Sequence, residues 1–181
     1  MRRREATAKR YARALFLLAR EAGREAQTAQ ELEAARDIIS THHELSDFLL
    51  RPWIRGGVKK SVLATVAREA GYSEVVTNCL GLLAVRGRLD HLSEIVNVYR
   101  RLVDDAQGLA RAEVASAVPL TEGERRELAD GLGRAVGRRV VIEDRVDPTL
   151  LGGFVARIGS LVLDASINGQ LARLRERLVR G

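Results

Sequence analysis

His42-His43-Glu44 is the densest set of metal-ligating side chains in the chain. On a helix, adjacent histidines point about 100° apart, and no third ligand follows at a useful spacing, so the set reads as a loop or solvated pair. His91 follows Asp90 at a helix start, which suits a structural role. Cys79, the single cysteine, lies on an apolar segment and reads as a small buried residue rather than a nucleophile. Gly131-Leu-Gly133 falls inside a helical pattern instead of following a strand, so it lacks the context of a dinucleotide fingerprint. No glycine loop ends in Lys-Ser or Lys-Thr, and no serine, histidine and acid set stands out. The residues predict no catalytic, cofactor-binding or metal site.

The elements that would position any other function are helical. Of 181 residues, 46% are hydrophobic and only 4% aromatic, and Ala, Leu and Val carry the apolar content, which favours helix packing over an all-β core. One cysteine excludes an internal disulfide. The formal net charge is +6, and three of the 30 basic residues are lysine (Lys9, Lys59, Lys60), leaving 27 arginines. Such a balance raises nucleic acid or an anionic membrane as partners. Acids are interspersed along most helices, as on solvated faces with i,i+4 pairs. No apolar run approaches the roughly 20 residues of a membrane span. The start, Met1-Arg-Arg-Arg-Glu, lacks the apolar region of a secretion signal.

Helical periodicity predicts helices over residues 7–22, 25–40, 44–50, 58–70, 74–85 and 89–107, the last being the longest. Gly23, Gly56-Gly57, Gly71 and Gly87 break them, Pro52 ends the third, and Ser73 caps the fifth. From Gly108 the pattern changes. Residues 110–118 alternate as a strand, with Ala112, Val114, Ser116 and Val118 on one face. Thr121-Glu-Gly-Glu124 is a capping box opening a helix to Val136. A strand over 139–146, a hairpin-like pair over 154–158 and 161–163, and a helix over 166–179 complete the chain. The expected fold is mostly α: an N-terminal six-helix bundle over residues 1–106, then a small α+β domain over 107–181.

Surplus apolar surface is the main functional signal. On the first helix Ala8, Tyr11, Leu15, Leu18 and Ala22 form a core stripe, which leaves Ala14, Phe16 and Leu17 outside it. On the fifth helix Val75, Val76, Leu80, Leu82, Leu83 and Val85 circle the axis. A helix apolar all round is central in its bundle or also meets a partner. Two such helices invite a groove for an amphipathic helix from another protein. On the last helix Leu171, Leu174 and Leu178 make a seam expected to pack on the sheet, with Arg173, Arg175, Arg177 and Arg180 outside.

Five segments carry a family likeness: Arg10-Tyr-Ala-Arg-Ala-Leu-Phe16; Leu45 to Pro52 with Lys59-Lys60; Asn78-Cys-Leu-Gly-Leu-Leu83 through Leu89; Val114 to Thr121; and Leu150 to Leu178. The last combines the Gly152-Gly153 pair, two apolar runs split by Gly159-Ser160, and Asp164, Ser166 and Gly169 before a helix. In this order they resemble the delta subunit of F-type ATP synthases, the oligomycin-sensitivity-conferring protein family. Cys79 and Val85-Arg86 depart from that family's pattern.

The resemblance implies a non-catalytic, cofactor-free stator subunit, one copy per complex, linking the catalytic head to the peripheral stalk so that rotation is coupled to ATP synthesis. It implies that a groove between helices one and five receives the N-terminal helix of an alpha subunit, placing Tyr11, Ala14, Leu18, Asn78, Leu82 and Val85 at or near it. The C-terminal domain would engage the C-terminal helices of the b subunits. Membrane association would be indirect, through the complex, at the cytoplasmic face of the bacterial inner membrane. The competing reading is a basic helical nucleic-acid-binding regulator. Its best helix pair, 58–70 and 74–85, puts an apolar helix where a polar recognition helix is needed.

Overall fold

A computed structural model describes residues 2–180, and the side chains of residues 2–4, 173 and 176–180 lie outside the described set. The N-terminal arginine run and three of the four terminal-helix arginines (Arg173, Arg177 and Arg180) therefore fall outside it. Most of the described chain is helical, with one small four-stranded mixed sheet towards the C-terminus. The chain divides into two compact units, Met1–Val103 and Asp104–Gly181. Among the described residues no helix is long and apolar enough to cross a membrane.

In the first unit the elements are α1 (Arg2–Glu21), α2 (Glu25–Thr41), α3 (His43–Leu50), α4 (Gly56–Glu69) and α5 (Glu74–Val85), followed by a 3₁₀ turn (Leu89–His91) leading into α6 (Leu92–Ala106). That turn takes the first residues expected of α6, so the 20-residue α1 is the longer helix. Gly23 ends α1 at a positive φ of 63°, where a Cβ would be strained. Gly56 and Gly57 open α4 instead of separating two elements.

One apolar cluster draws on all of these helices. It includes Ala12, Leu15 and Phe16 of α1, Leu32 of α2, Leu49 of α3, Leu63 of α4, Val76, Leu80 and Leu83 of α5, and Ile95, Val96 and Tyr99 of α6. Phe16 meets the Tyr99 ring edge-on with centroids 6.1 Å apart, and the Tyr99 hydroxyl donates to the Glu25 carbonyl at 3.2 Å. Ser73 sits at the N-cap of α5, yet its hydroxyl makes no cap bond. It donates instead to Glu31 of α2, which also accepts from the Ser73 N–H (2.8 Å) and from Gln27 (2.8 Å). A buried acceptor with three donors ties α2 to the start of α5. Glu31→Leu is expected to cost about 1–3 kcal/mol in chemical denaturation, because the Ser73 donors lose their partner.

The second unit contains β1 (Leu109–Ser116), α7 (Glu122–Val136), β2 (Arg139–Val146), β3 (Phe154–Ile158), β4 (Leu161–Asp164) and α8 (Ile167–Arg180). The sheet order is β2-β1-β3-β4. β1 and β2 are parallel in the register Leu109 to Arg139, so α7 is their crossover, while β3 is antiparallel to both β1 and β4. Thr121 and Glu124 form the expected capping box at the start of α7. Ala112, Val114, Val140 and Ala156 bury one sheet face with Leu132 of α7. Ser116 points to the same side, but Val118 lies beyond the strand and is exposed. On the other face Arg111 bonds Asp104 through two nitrogens, the second at 2.9 Å, and reaches Glu143 at 3.0 Å.

The glycines of the C-terminal signature have a steric cause. A Cβ on Gly153 (φ 76°) would collide with the Ala165 carbonyl, and one on Gly169 would run into the Asp164 carboxylate. Asp164 accepts from both the N–H and the hydroxyl of Ser166, and the Ser166 oxygen accepts from the Gly169 N–H at 3.0 Å. This chain of bonds starts α8 and fixes it to the end of β4.

Candidate functional site

Helices α1 and α5 pack directly on each other. The buried positions of α1 are Ala8, Ala12, Leu15, Phe16 and Ala19. This shifts the core stripe from the one that periodicity suggests. Phe16 points inward because it meets Tyr99, while Leu18 and Ala22 turn outward. Turning Phe16 in moves Leu17 and Leu18 into solvent together. On α5 the inward set is Val76, Leu80, Gly81, Leu83 and Ala84.

The six residues placed by family likeness then fall into two rows. Tyr11, Ala14 and Leu18 follow i, i+3, i+7 spacing on α1; Asn78, Leu82 and Val85 follow i, i+4, i+7 on α5. Leu18, Leu82 and Val85 are 54%, 45% and 53% exposed. Ala14 and Asn78 are also exposed, and Tyr11 is partly buried against the core. These rows leave apolar surface without a partner on two helices that touch.

What holds α5 in place was not anticipated from sequence. A Cβ on Gly56 would fall 2.7 Å from the Val85 Cα, and one on Gly81 would fall 3.1 Å from Cγ of Lys60. Glycine at both places lets α4 approach α5 at near-backbone distance and set its outward face. Glycine within a helical pattern was the available signal, because it often marks a close approach.

Charge along the two helices is one-sided. No acid lies on α1 between Glu5 and Glu21, a stretch holding Lys9, Arg10, Arg13 and Arg20, and α5 carries no acid after Glu74. At about 100° per residue Arg10 is the cation nearest the α1 row, while Lys9, Arg13 and Arg20 fall on the far side of the helix.

Cys79, next to Asn78 on α5 and packed against the core cluster, has its thiol pushed up to about 11 by burial. Its acidity is therefore lower than that of a free thiol, contrary to what a nucleophile needs. Burial favours the neutral thiol, so its stabilising effect is complete below the unfolded thiol's pKa and is lost as pH rises through about 11. Native protein at pH 8 should react with iodoacetamide at least about tenfold more slowly than unfolded protein. Equal rates, read by mass spectrometry, would show that the thiol is accessible.

The second unit has its own unpartnered surface. β4 is a sheet edge exposed along its length, with Leu161, Val162 and Leu163, and α8 adds Ile167, Leu171 and Leu174. Of the expected leucine seam of α8, Leu171 and Leu174 do not bury themselves on the sheet, each being 54% exposed, and the Leu178 side chain lies outside the described set. His42 is bound locally, its ring nitrogen 2.9 Å from the Ile38 carbonyl.

The ATP synthase delta (OSCP) subunit family model matches residues 7–178. The chain belongs to this family. ATP synthase subunit delta of Syntrophobacter fumaroxidans is 37% identical over 174 residues, covering 96% of this chain and 95% of the relative. That of Solidesulfovibrio magneticus is 38% identical over 176 residues, covering 96% of each. A chain of the Toxoplasma gondii mitochondrial ATP synthase hexamer shares the fold, with a TM-score of 0.73 at 21% identity over 95% of this chain and 97% of that one. As a delta-family protein the chain is a non-catalytic stator subunit of F-type ATP synthase. The surplus apolar surfaces fit that work.

Proposed function

We propose that the first unit acts as a six-helix bundle whose α1/α5 groove holds the N-terminal helix of an alpha subunit, while the second unit holds the C-terminal helices of the b subunits. One copy would sit in each complex at the cytoplasmic face of the bacterial inner membrane, joined to the membrane only through its partners. The observation that carries the reading is the exposed apolar surface at Ala14 and Leu18 of α1 and at Leu82 and Val85 of α5, two helices in direct contact. The exposed β4 edge and the Leu171/Leu174 face of α8 support a second docking surface on the other unit.

A clamp under torque needs slow dissociation, and nanomolar binding corresponds to about −12 kcal/mol. Interfaces of about 1,600 Å² can reach that strength when their centre is apolar and well packed. Removing this subunit from the assembled enzyme should leave ATP hydrolysis by the head largely intact and abolish ATP-driven proton pumping in membrane vesicles. Adding the purified chain back should restore pumping. Pumping at full rate without the subunit would refute the stator role of this chain. A nucleic-acid regulator, by contrast, would bind DNA with a steep salt dependence.

A further inference from the structure

Trp53, the single tryptophan of the chain, is 75% exposed in the connection between α3 and α4. The connection is anchored. The buried Lys59 donates its ammonium to the Arg51 carbonyl at 2.7 Å, and the Arg51 guanidinium lies 5.9 Å from the Trp53 ring centre. Leu50 and Val58 flank it and are exposed too. From Phe48 to Arg68 the sequence holds Arg51, Arg55, Lys59, Lys60 and Arg68 and no acid. Leu50, Trp53 and Val58, all exposed within nine residues and interleaved with Arg51 and Arg55, make a candidate contact patch rather than a lone exposed ring.

Its position says where the use lies. Gly56, three residues on, packs backbone to backbone against Val85, the last residue of the groove row on α5. Three residues span at most about 11 Å, so Trp53 lies within that reach of the Gly56 contact with Val85. We propose that Trp53, with Arg51 and Arg55, extends the α1/α5 groove into a basic aromatic platform that grips a carboxylate-bearing end of the same amphipathic helix. This rests on the groove reading above. Tryptophan and arginine are the residues that most often dominate such contacts, and the acid-free stretch from Phe48 to Arg68 supplies the charge complement. Continuity with the groove at Gly56 and Val85 favours a protein helix over a lipid surface.

Because Trp53 is the only tryptophan, its emission reports the platform directly, while heat of binding reports the groove. The full chain would be titrated with a peptide of the alpha subunit's N-terminal helix, and with the same peptide carrying amides in place of its carboxylates. The expected result is a blue shift of Trp53 emission that saturates at one equivalent, in step with the heat. Arg51→Glu/Arg55→Glu and the amide peptide should each weaken binding about tenfold, with circular dichroism unchanged. If the peptide binds by heat yet the emission stays fixed and the double variant binds as tightly, the platform is overturned and the groove stands. If phosphatidylglycerol vesicles shift the emission and the peptide does not, the platform belongs to a membrane surface and the proposal fails. If the peptide gives neither heat nor shift, the groove reading falls and takes the platform with it.

Discussion

Leu82→Asp is expected to weaken binding of an alpha-subunit N-terminal helix by at least about a hundredfold while leaving the protein folded. Leu82 is the middle residue of the α5 row and faces solvent in the free chain, so a carboxylate there costs the monomer little. In the complex that carboxylate would be buried against an apolar helix, where an unpaired charge costs several kcal/mol. Leu18→Asp on the facing row should behave alike. Calorimetry with circular dichroism on the same samples separates lost binding from lost structure. A folded Leu82→Asp protein that binds as tightly as the parent would move the partner off this face.

The second large effect concerns the core behind the groove. Tyr99 is fully buried, packs on Phe16 of α1 and bonds the first residue of α2. Tyr99→Ala should destabilise the first unit by about 3–5 kcal/mol, as large-to-small changes in packed cores do. Tyr99→Phe, losing only the hydroxyl bond, should cost about 1 kcal/mol. Urea unfolding followed by hydrogen exchange at the α1 and α6 amides reports this unit alone, which avoids forcing a two-unit chain into one transition. A Tyr99→Ala loss below about 1 kcal/mol would mean the core is far looser than its packing implies.

Element type was legible in the sequence almost throughout, because local signals and tertiary packing agree. The strand at Ala112, Val114 and Ser116 alternates because one face is buried, and Thr121 to Glu124 caps α7 as its spacing dictates. What stayed hidden depended on partners distant in sequence. Two stripes on α1 satisfy helical periodicity nearly equally, and only the Tyr99 ring decides that Phe16 goes in and Leu18 out. Ser73 sits where a cap belongs, but a carboxylate 42 residues earlier claims its hydroxyl. Gly56 and Gly57 read as a break, since nothing local shows that α5 presses on the first of them. Leu171 and Leu174 of α8 read as core because a leucine seam usually buries itself; here both remain exposed. At the candidate site, the apolar surplus on α1 and α5 was visible in composition alone. The assignment of individual residues to the groove came from family likeness, and the structure puts five of the six in solvent and Tyr11 partly in the core.

The central claim is that the α1/α5 face is occupied by a helix of the catalytic head in the working enzyme. Replacing Leu82 by a photoreactive amino acid and irradiating the assembled complex tests this at a single side chain. The predicted product joins this chain to the N-terminal segment of an alpha subunit, and peptide mapping would locate the bond. A crosslink from position 82 to a b subunit, or none from 82 in a complex that still pumps protons, would contradict the claim.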